Sequence, residues 1–412
     1  MSLSFMRDNS DPYISHQLAQ THYLLGNWSK SIEIRRAELA AWDNRAAQFG
    51  LDKLGSRFIA GSFLGHIGHH GFIDALIKAR ELGLLSPERR TIVGREDSFA
   101  NRSFVTYLSR YFDLHLMTAT DFRQFEATMK PLFEDVSLVR MKRGLTEIYS
   151  AYSEINEKWK AEGRAPLFQL EPKHEERGRA VLRKWGVSDD DWFVSLHVRE
   201  GDGNPWTNNA DARIESYQRA IDRIVNSGGW VIRMGNPSMT PLKVQDQVVD
   251  YSRSSDRSDW MDVFLWSRCR AFVGSMSGPF NIPAVFGVPT LITNHGGFGL
   301  DQGFNRSLML PKLYWDISTR RMLSAKEMLD GPFGWTVSRR FPGHEIEIVE
   351  NSPEELEQGV VSILEIANRA ECFDEMKLEQ KSLLESLARH SRMGRTPFPA
   401  HFIGSHVEVF AD

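Results

Sequence analysis

The chain of 412 residues is poor in cysteine, with only Cys269 and Cys372. Two cysteines cannot build a disulfide framework or a cysteine-rich zinc site. Neither sign of charge dominates: 50 Lys+Arg against 54 Asp+Glu leave a net charge of −4. Nucleic-acid binders usually carry a basic surplus, so no nucleic-acid partner is expected. No window approaches the ~18 apolar residues of a membrane span. The opening MSLSFMRDNSDPYIS holds no apolar stretch of the signal-peptide kind. Low-complexity tracts are absent as well. Hydrophobic residues at 41% and charged residues at 25% argue against an intrinsically disordered chain. The expectation is an enzyme of a reduced, cytoplasmic compartment.

At roughly 150 residues per domain the length calls for two domains and an appendage. Residues 14 to 47 read as two helices, with Leu18, Tyr23, Leu24 and Leu25 before the break Gly26-Asn27 and Ile32, Ala37, Leu39 and Trp42 after it. They look like one tetratricopeptide-type pair, or else a helical cap on the next domain. From Gly55 the pattern becomes strand (57–60), glycine-rich turn, helix (72–82), strand (91–94), helix (99–111) and strand (114–117). That alternation implies a parallel sheet. Another strand is expected near 136–141, and a linker near 163–173. The second half repeats the alternation, with strands at 192–198, 230–234, 248–251, 271–273 and 290–293 and helices at 214–225, 259–268 and 279–286. A last helix begins at Ser352, with Pro353 at its first position and Glu355 completing a capping box. The expected domains are a helical appendage (1–54), a first Rossmann-like domain (55–175), a second (176–350) and a helical tail (351–412).

In open α/β sheets, ligands bind beyond the carboxyl ends of the strands. Those ends in the second half deliver His197, Arg199, Glu200, Gly201 and Asp202, then Gly235, Asn236 and Ser238, then Gly274, Ser275, Ser277 and Gly278, then Asn294 and His295. The turn Ser275-Met276-Ser277-Gly278-Pro279 feeds a helix, so its amides and hydroxyls suit an anion. The same serines would serve as plain helix caps, and Pro283 is awkward inside that helix. The Arg199 fork matches a diphosphate; the alternative is an ion pair with Glu200 or Asp202. His197 lies on the strand, as a ligand or as a satisfied structural group. In the first half, Gly65, His66 and Gly68 sit where a phosphate or acceptor loop would, although the run is not a dinucleotide fingerprint. His66 suits a general base, because imidazole titrates near neutrality. Neighbouring His69 and His70 point apart, and no thiolate or carboxylate cluster joins them, so no metal site is expected. Asp189-Asp190-Asp191 precedes its strand and reads as a solvated turn at the amino edge.

Ser195-Leu196-His197-Val198-Arg199-Glu200-Gly201-Asp202 resembles the His-x-Arg-Arg-x-Asp motif of the α-1,6-fucosyltransferase and protein O-fucosyltransferase superfamily. There, the Arg matching Arg199 holds the β-phosphate of GDP-fucose. The stretch from Asp262 through Ser267 and Ala271 to Ser277 resembles a later motif of that superfamily, an Asp and helix ahead of a strand and a Ser-rich nucleotide loop. Residues 259–294, with Gly287-Val288-Pro289, also resemble bacterial glycosyltransferases of GT-B type. The fucosyltransferase motifs cover about 100 residues and the GT-B likeness most of 55–350. Glu200 stands where the motif has its second Arg, replacing a cation with a carboxylate.

The resemblance implies an α/β, GT-B-like fold, with two Rossmann-like domains facing a cleft. It implies metal-independent, inverting transfer from a nucleoside diphosphate sugar, GDP-fucose or another GDP-sugar, to a hydroxyl of a glycan, protein or small molecule. No further cofactor is implied. His197, Arg199, Gly235, Asn236, Asp262, Ser275, Ser277, Gly278 and Asn294 would bind the donor, and Asp202 or His66 would deprotonate the acceptor. Two other readings stay open: an epimerase or hydrolase of nucleotide sugars, and an inactive binding protein. The Trp- and Leu-rich N-terminal helices leave room for a homodimer.

Overall fold

The computed structural model describes residues 12–24, 27–85, 89–134, 136, 138–142, 144–201, 208–297, 303–330, 341, 343–389 and 396–411. It divides into two compact units, one of Met1–His66 with Leu76–Ala151, the other of Ile67–Ala75 with Tyr152–Asp412. Residues 55–175 therefore do not group as one body, since 67–75 and 152–175 belong with the second unit.

In the first unit, α1 (Pro12–Leu24) and α2 (Trp28–Gln48) pack together. The Ser31 hydroxyl donates to the Ala19 carbonyl across the pair at 2.8 Å. β1 (Ser56–Ala60), α3 (His70–Glu81, its residues 70–75 grouped with the second unit), β2 (Arg89–Gly94), α4 (Arg102–Leu108) and β3 (Asp113–Leu116) follow. The three strands are parallel, in the order β1-β2-β3. α4 is shorter than the 99–111 expected, because the Asn101 side chain accepts from the Phe104 amide at 2.8 Å and fixes its start. After α5 (Ala119–Met129), β4 (Leu138–Met141) pairs antiparallel with β5 (Gly144–Glu147). Asp43 of α2 receives Arg57 from β1 at 3.2 Å and Arg140 from β4 at 2.9 Å, which ties the helical pair to the strands.

In the second unit come α6 (Ile148–Ala161), α7 (Pro172–Lys184), β6 (Phe193–His197), α8 (Gln218–Asn226), β7 (Trp230–Arg233), β8 (Val248–Val249), α9 (Asp259–Arg268), β9 (Ala271–Ser275), α10 (Asn281–Val285), β10 (Thr290–His295) and β11 (Ser307–Pro311). α6 begins within the first unit. The six strands form one parallel sheet, ordered β11-β10-β9-β6-β7-β8. Renumbered along this half of the chain, that is 6-5-4-1-2-3, the doubly wound dinucleotide-fold order. The fold class is α/β, with a parallel sheet in each unit, as a GT-B-like chain requires.

The helix expected at 279–286 is a 3₁₀ turn (Gly278–Phe280) followed by the five residues of α10. Pro283 falls in the first turn of α10, where amides lack intrahelical partners anyway. β11 was not expected, since a short buried Leu-Met-Leu run has no period of its own. Nor was the small antiparallel sheet of β12 (Leu313–Asp316), β13 (Arg321–Met322) and β14 (Ile346–Val349), with α11 (Ala325–Asp330) inserted. α12 (Pro353–Asn368) starts on the expected capping box, Ser352 accepting from the Glu355 amide and Glu355 from the Ser352 amide. Its apolar stripe, Leu356, Val360 and Ile363, is fully buried in the same core as Leu291 and Leu308. The 351–412 segment is thus part of the second unit.

Candidate functional site

The order of the six-stranded sheet makes β6 and β9 neighbours whose following connections turn to opposite sides. The crevice at such a switch point lies beyond their carboxyl ends. There the Arg199 amide donates to Ser275 Oγ at 2.7 Å, and Ser277 Oγ donates to His197 Nε2 at 3.2 Å. His197 Nδ1–H points to the Met234 carbonyl at 3.4 Å. Residues picked from two separate strand ends thus meet. Burial pushes the His197 pKa down to about 4, and the charges of Arg233 and Arg199 act the same way, against the Met234 bond. The imidazole is therefore neutral near pH 7. It orients Ser277 rather than adding a positive charge.

The charges of the crevice are paired. Arg199 Nε donates to Asp211 at 2.9 Å. Glu200 instead accepts from Arg233 at 3.2 Å and from the Thr240 amide at 2.6 Å. Arg233 is fully buried and also reaches Ser252 at 2.6 Å and Asp250 at 3.4 Å. The carboxylate at the motif's second Arg position is thus a counter-ion for a buried guanidinium, which would be costly to leave unpaired. Buried Lys312 donates to the Asp211 carbonyl at 2.6 Å and lies 3.5 Å from Glu350. A cavity of about 440 Å³ opens among Glu200, Asp211, Glu215, Thr240 and Glu350. Acids outnumber the one lining cation, Arg213, and Arg199 is bound to Asp211 in the wall.

Ser275, Ser277 and Gly278 form the turn after β9, but the helix behind it is too short for much dipole. Hydroxyls and amides are what the turn offers. A Cβ on Gly278 would lie 2.4 Å from Ile67 Cγ2 and 2.6 Å from the Gly68 nitrogen. Glycine there is what lets the loop at Gly68 close on the turn. Gly65 packs instead against the Ser98 carbonyl in the first unit, where His66 is exposed. Asp202 lies outside the described residues. Gly235 has φ +146° and faces Met239 Sδ, and the Asn236 side chain accepts from the Ser238 amide at 3.0 Å within its own turn.

Two expected donor ligands are held elsewhere. Asn294 is locked to Asn351: its amide donates to Asn351 Oδ1 at 2.6 Å, its own Oδ1 accepts from the Asn351 amide at 2.8 Å, and its Nδ2 donates to Tyr217 at 3.2 Å. Asn294, with φ +47°, shapes the end of β10 and is almost fully buried. Asp262, in the first turn of α9, accepts from Tyr251 at 2.8 Å. Burial raises its pKa to about 6, against the Tyr251 bond and the Arg257 charge. Among the described residues no group of three His, Cys, Asp or Glu is placed to hold a metal ion. Asp189 pairs with Arg183 on the surface, ahead of β6.

Sequence reasoning missed Asp211, Arg233 and Lys312. A charged residue closing the apolar run Trp230-Val231-Ile232-Arg233 was a readable signal. Asp211 and Lys312 lie in irregular segments, and nothing in their spacing points at Arg199.

No known family model and no curated protein matches this chain. Among solved structures it is similar to a family 9 glycosyl transferase from Veillonella parvula, at 11% identity over 75% of this chain and 97% of that one, with a TM-score of 0.42. ADP-heptose LPS heptosyltransferase II of E. coli gives 9% identity over 62% and 90%, at 0.40. E. coli heptosyltransferase WaaC with ADP gives 10% over 77% and 98%, at 0.38. None of the three is a fucosyltransferase. Likeness at this level assigns neither family nor substrate.

Proposed function

We propose that this chain transfers a sugar from a nucleoside diphosphate sugar to an acceptor hydroxyl. The observation that carries the reading is the meeting of Arg199, Ser275, Ser277 and His197 at the switch point of a doubly wound sheet. The Arg199 guanidinium, the Ser275 hydroxyl and the turn amides at that position can stabilise charge growing on a departing diphosphate, without a metal. Asp211 then competes for Arg199, and a bound diphosphate has to share or displace it. Direct displacement inverts the anomeric centre, with Asp202 or His66 as candidate base. GDP-sugars remain the favoured donors on motif resemblance alone, and the largely acidic cavity lining suits hydroxyl groups better than phosphates.

The test is thermal stability against GDP, ADP, UDP, CMP and dTDP, with and without EDTA. A ligand at 100 times its Kd adds about 2.7 kcal/mol. A shift that survives EDTA and disappears in Arg199→Ala supports the reading. The Arg199–Asp211 ion pair favours one rival, a binding protein with no transfer activity, which predicts no shift with any nucleotide.

A further inference from the structure

We propose that a groove on the first unit binds an anionic saccharide through an aromatic platform on α2. A cavity of about 760 Å³ is lined by Trp42, Arg45, Phe49, Arg123 and Lys130. A second cavity, of about 450 Å³, shares Trp42 and Lys130 with it and extends to Ala60 and Ser62, at the carboxyl end of β1. The Trp42 indole and the Lys130 ammonium thus belong to both linings.

The chemistry of the lining selects the occupant. Phe49 is 66% exposed at the end of α2, a position that water disfavours for a bare ring. The Arg45 guanidinium lies 5.8 Å from the Trp42 ring centre and 6.0 Å from that of Phe49, so one cation joins both rings. Arg45, Arg123 and Lys130 are in no carboxylate ion pair among the described residues, whereas Glu126 is the one acid lining the larger cavity. Of the acids in the smaller cavity, Glu134 is bound by both arms of Arg90 at 2.9 and 3.1 Å and Glu38 faces His16 at 3.7 Å. A pyranose offers an apolar C–H face and a polar edge. Stacking that face on Trp42 or Phe49 while a carboxylate or phosphate meets the cations engages both the rings and Arg45, Arg123 and Lys130, and sugar hydroxyls can donate to Glu126. An apolar helix would leave the three cations against hydrocarbon. As a saccharide site the groove stands alone; as the acceptor site it rests on the proposed transfer reaction.

Calorimetric titration of the full chain with tetragalacturonic acid, and with maltotetraose as the neutral comparison, tests this. The acidic tetrasaccharide should bind about tenfold more tightly or better, an advantage that the double variant Arg45→Glu/Lys130→Glu abolishes. Phe49→Ala, at an exposed position where folding is not at stake, should weaken both sugars about threefold or more. Failure of the acidic sugar to bind, equal affinity for the two sugars, or affinity untouched by these variants would overturn the groove. Saccharide binding without any nucleotide shift keeps the groove and removes the transferase; a nucleotide shift without saccharide binding does the reverse.

Discussion

Replacing His197 by glutamine should flatten the acid side of the stability profile. The imidazole is buried between the Met234 carbonyl and Ser277, and its pKa in the folded protein is about 4 instead of 6.5. A folded value below the unfolded one means that this contribution is fully present above pH 6.5 and is lost as pH falls towards 4. At pH 5.0 the unfolded imidazole is almost wholly protonated and the folded one about one-tenth protonated. Linkage over pH 7.5 to 5.0 then amounts to about 2 kcal/mol from this group. Glutamine does not titrate and keeps a polar atom near Ser277. Urea unfolding of both proteins at the two pH values isolates the difference from every other titrating group. Wild type should lose about 2 kcal/mol more than His197→Gln over that interval. Equal losses, or an imidazole resonance titrating near 6.5, would refute the assignment of His197 as a neutral, buried hydrogen-bonding group.

Arg199→Ala should leave the fold intact and weaken nucleoside diphosphate binding by about 10- to 150-fold, the equivalent of 1.5–3 kcal/mol for a charge-assisted contact. Asp211→Asn, which neutralises the competing partner, should tighten it; unchanged affinity in both variants would remove Arg199 from the site. Asp262 has a folded pKa of about 6 against an ordinary 3.8, so its neutral form is favoured in the folded protein and stability should fall as pH rises from 3.8 to 6, by up to about 3 kcal/mol. Asp262→Asn should abolish that loss in denaturant titrations at pH 4 and 7, because its amide oxygen still accepts from Tyr251. Gly278→Ala puts a methyl against the Gly68 backbone and should lower stability by about 1–3 kcal/mol on thermal unfolding, and a neutral outcome would mean that the loop at Gly68 yields easily.

The sequence by itself determined the regular half of this protein. Apolar runs such as 192–198 and 271–273, the alternation with amphipathic helices, and the Ser352–Glu355 box are local patterns whose physics lies within a few residues, and the structure has strands at Phe193–His197 and Ala271–Ser275 and the box at the start of α12. The same reading marked His197, Arg199, Ser275 and Ser277, because the carboxyl ends of parallel strands must converge. Only the tertiary structure decided what each group faces. Arg199 meets Asp211, twelve residues further along the chain, and Glu200 serves an arginine on the next strand. Asn294, polar at a strand end like the others, is consumed by Asn351, far along the chain. Partner choice among buried charges and amides depends on which segments are brought within 3 Å. Distance in space between residues far apart in the chain is set by packing the whole sheet, and no local pattern encodes it.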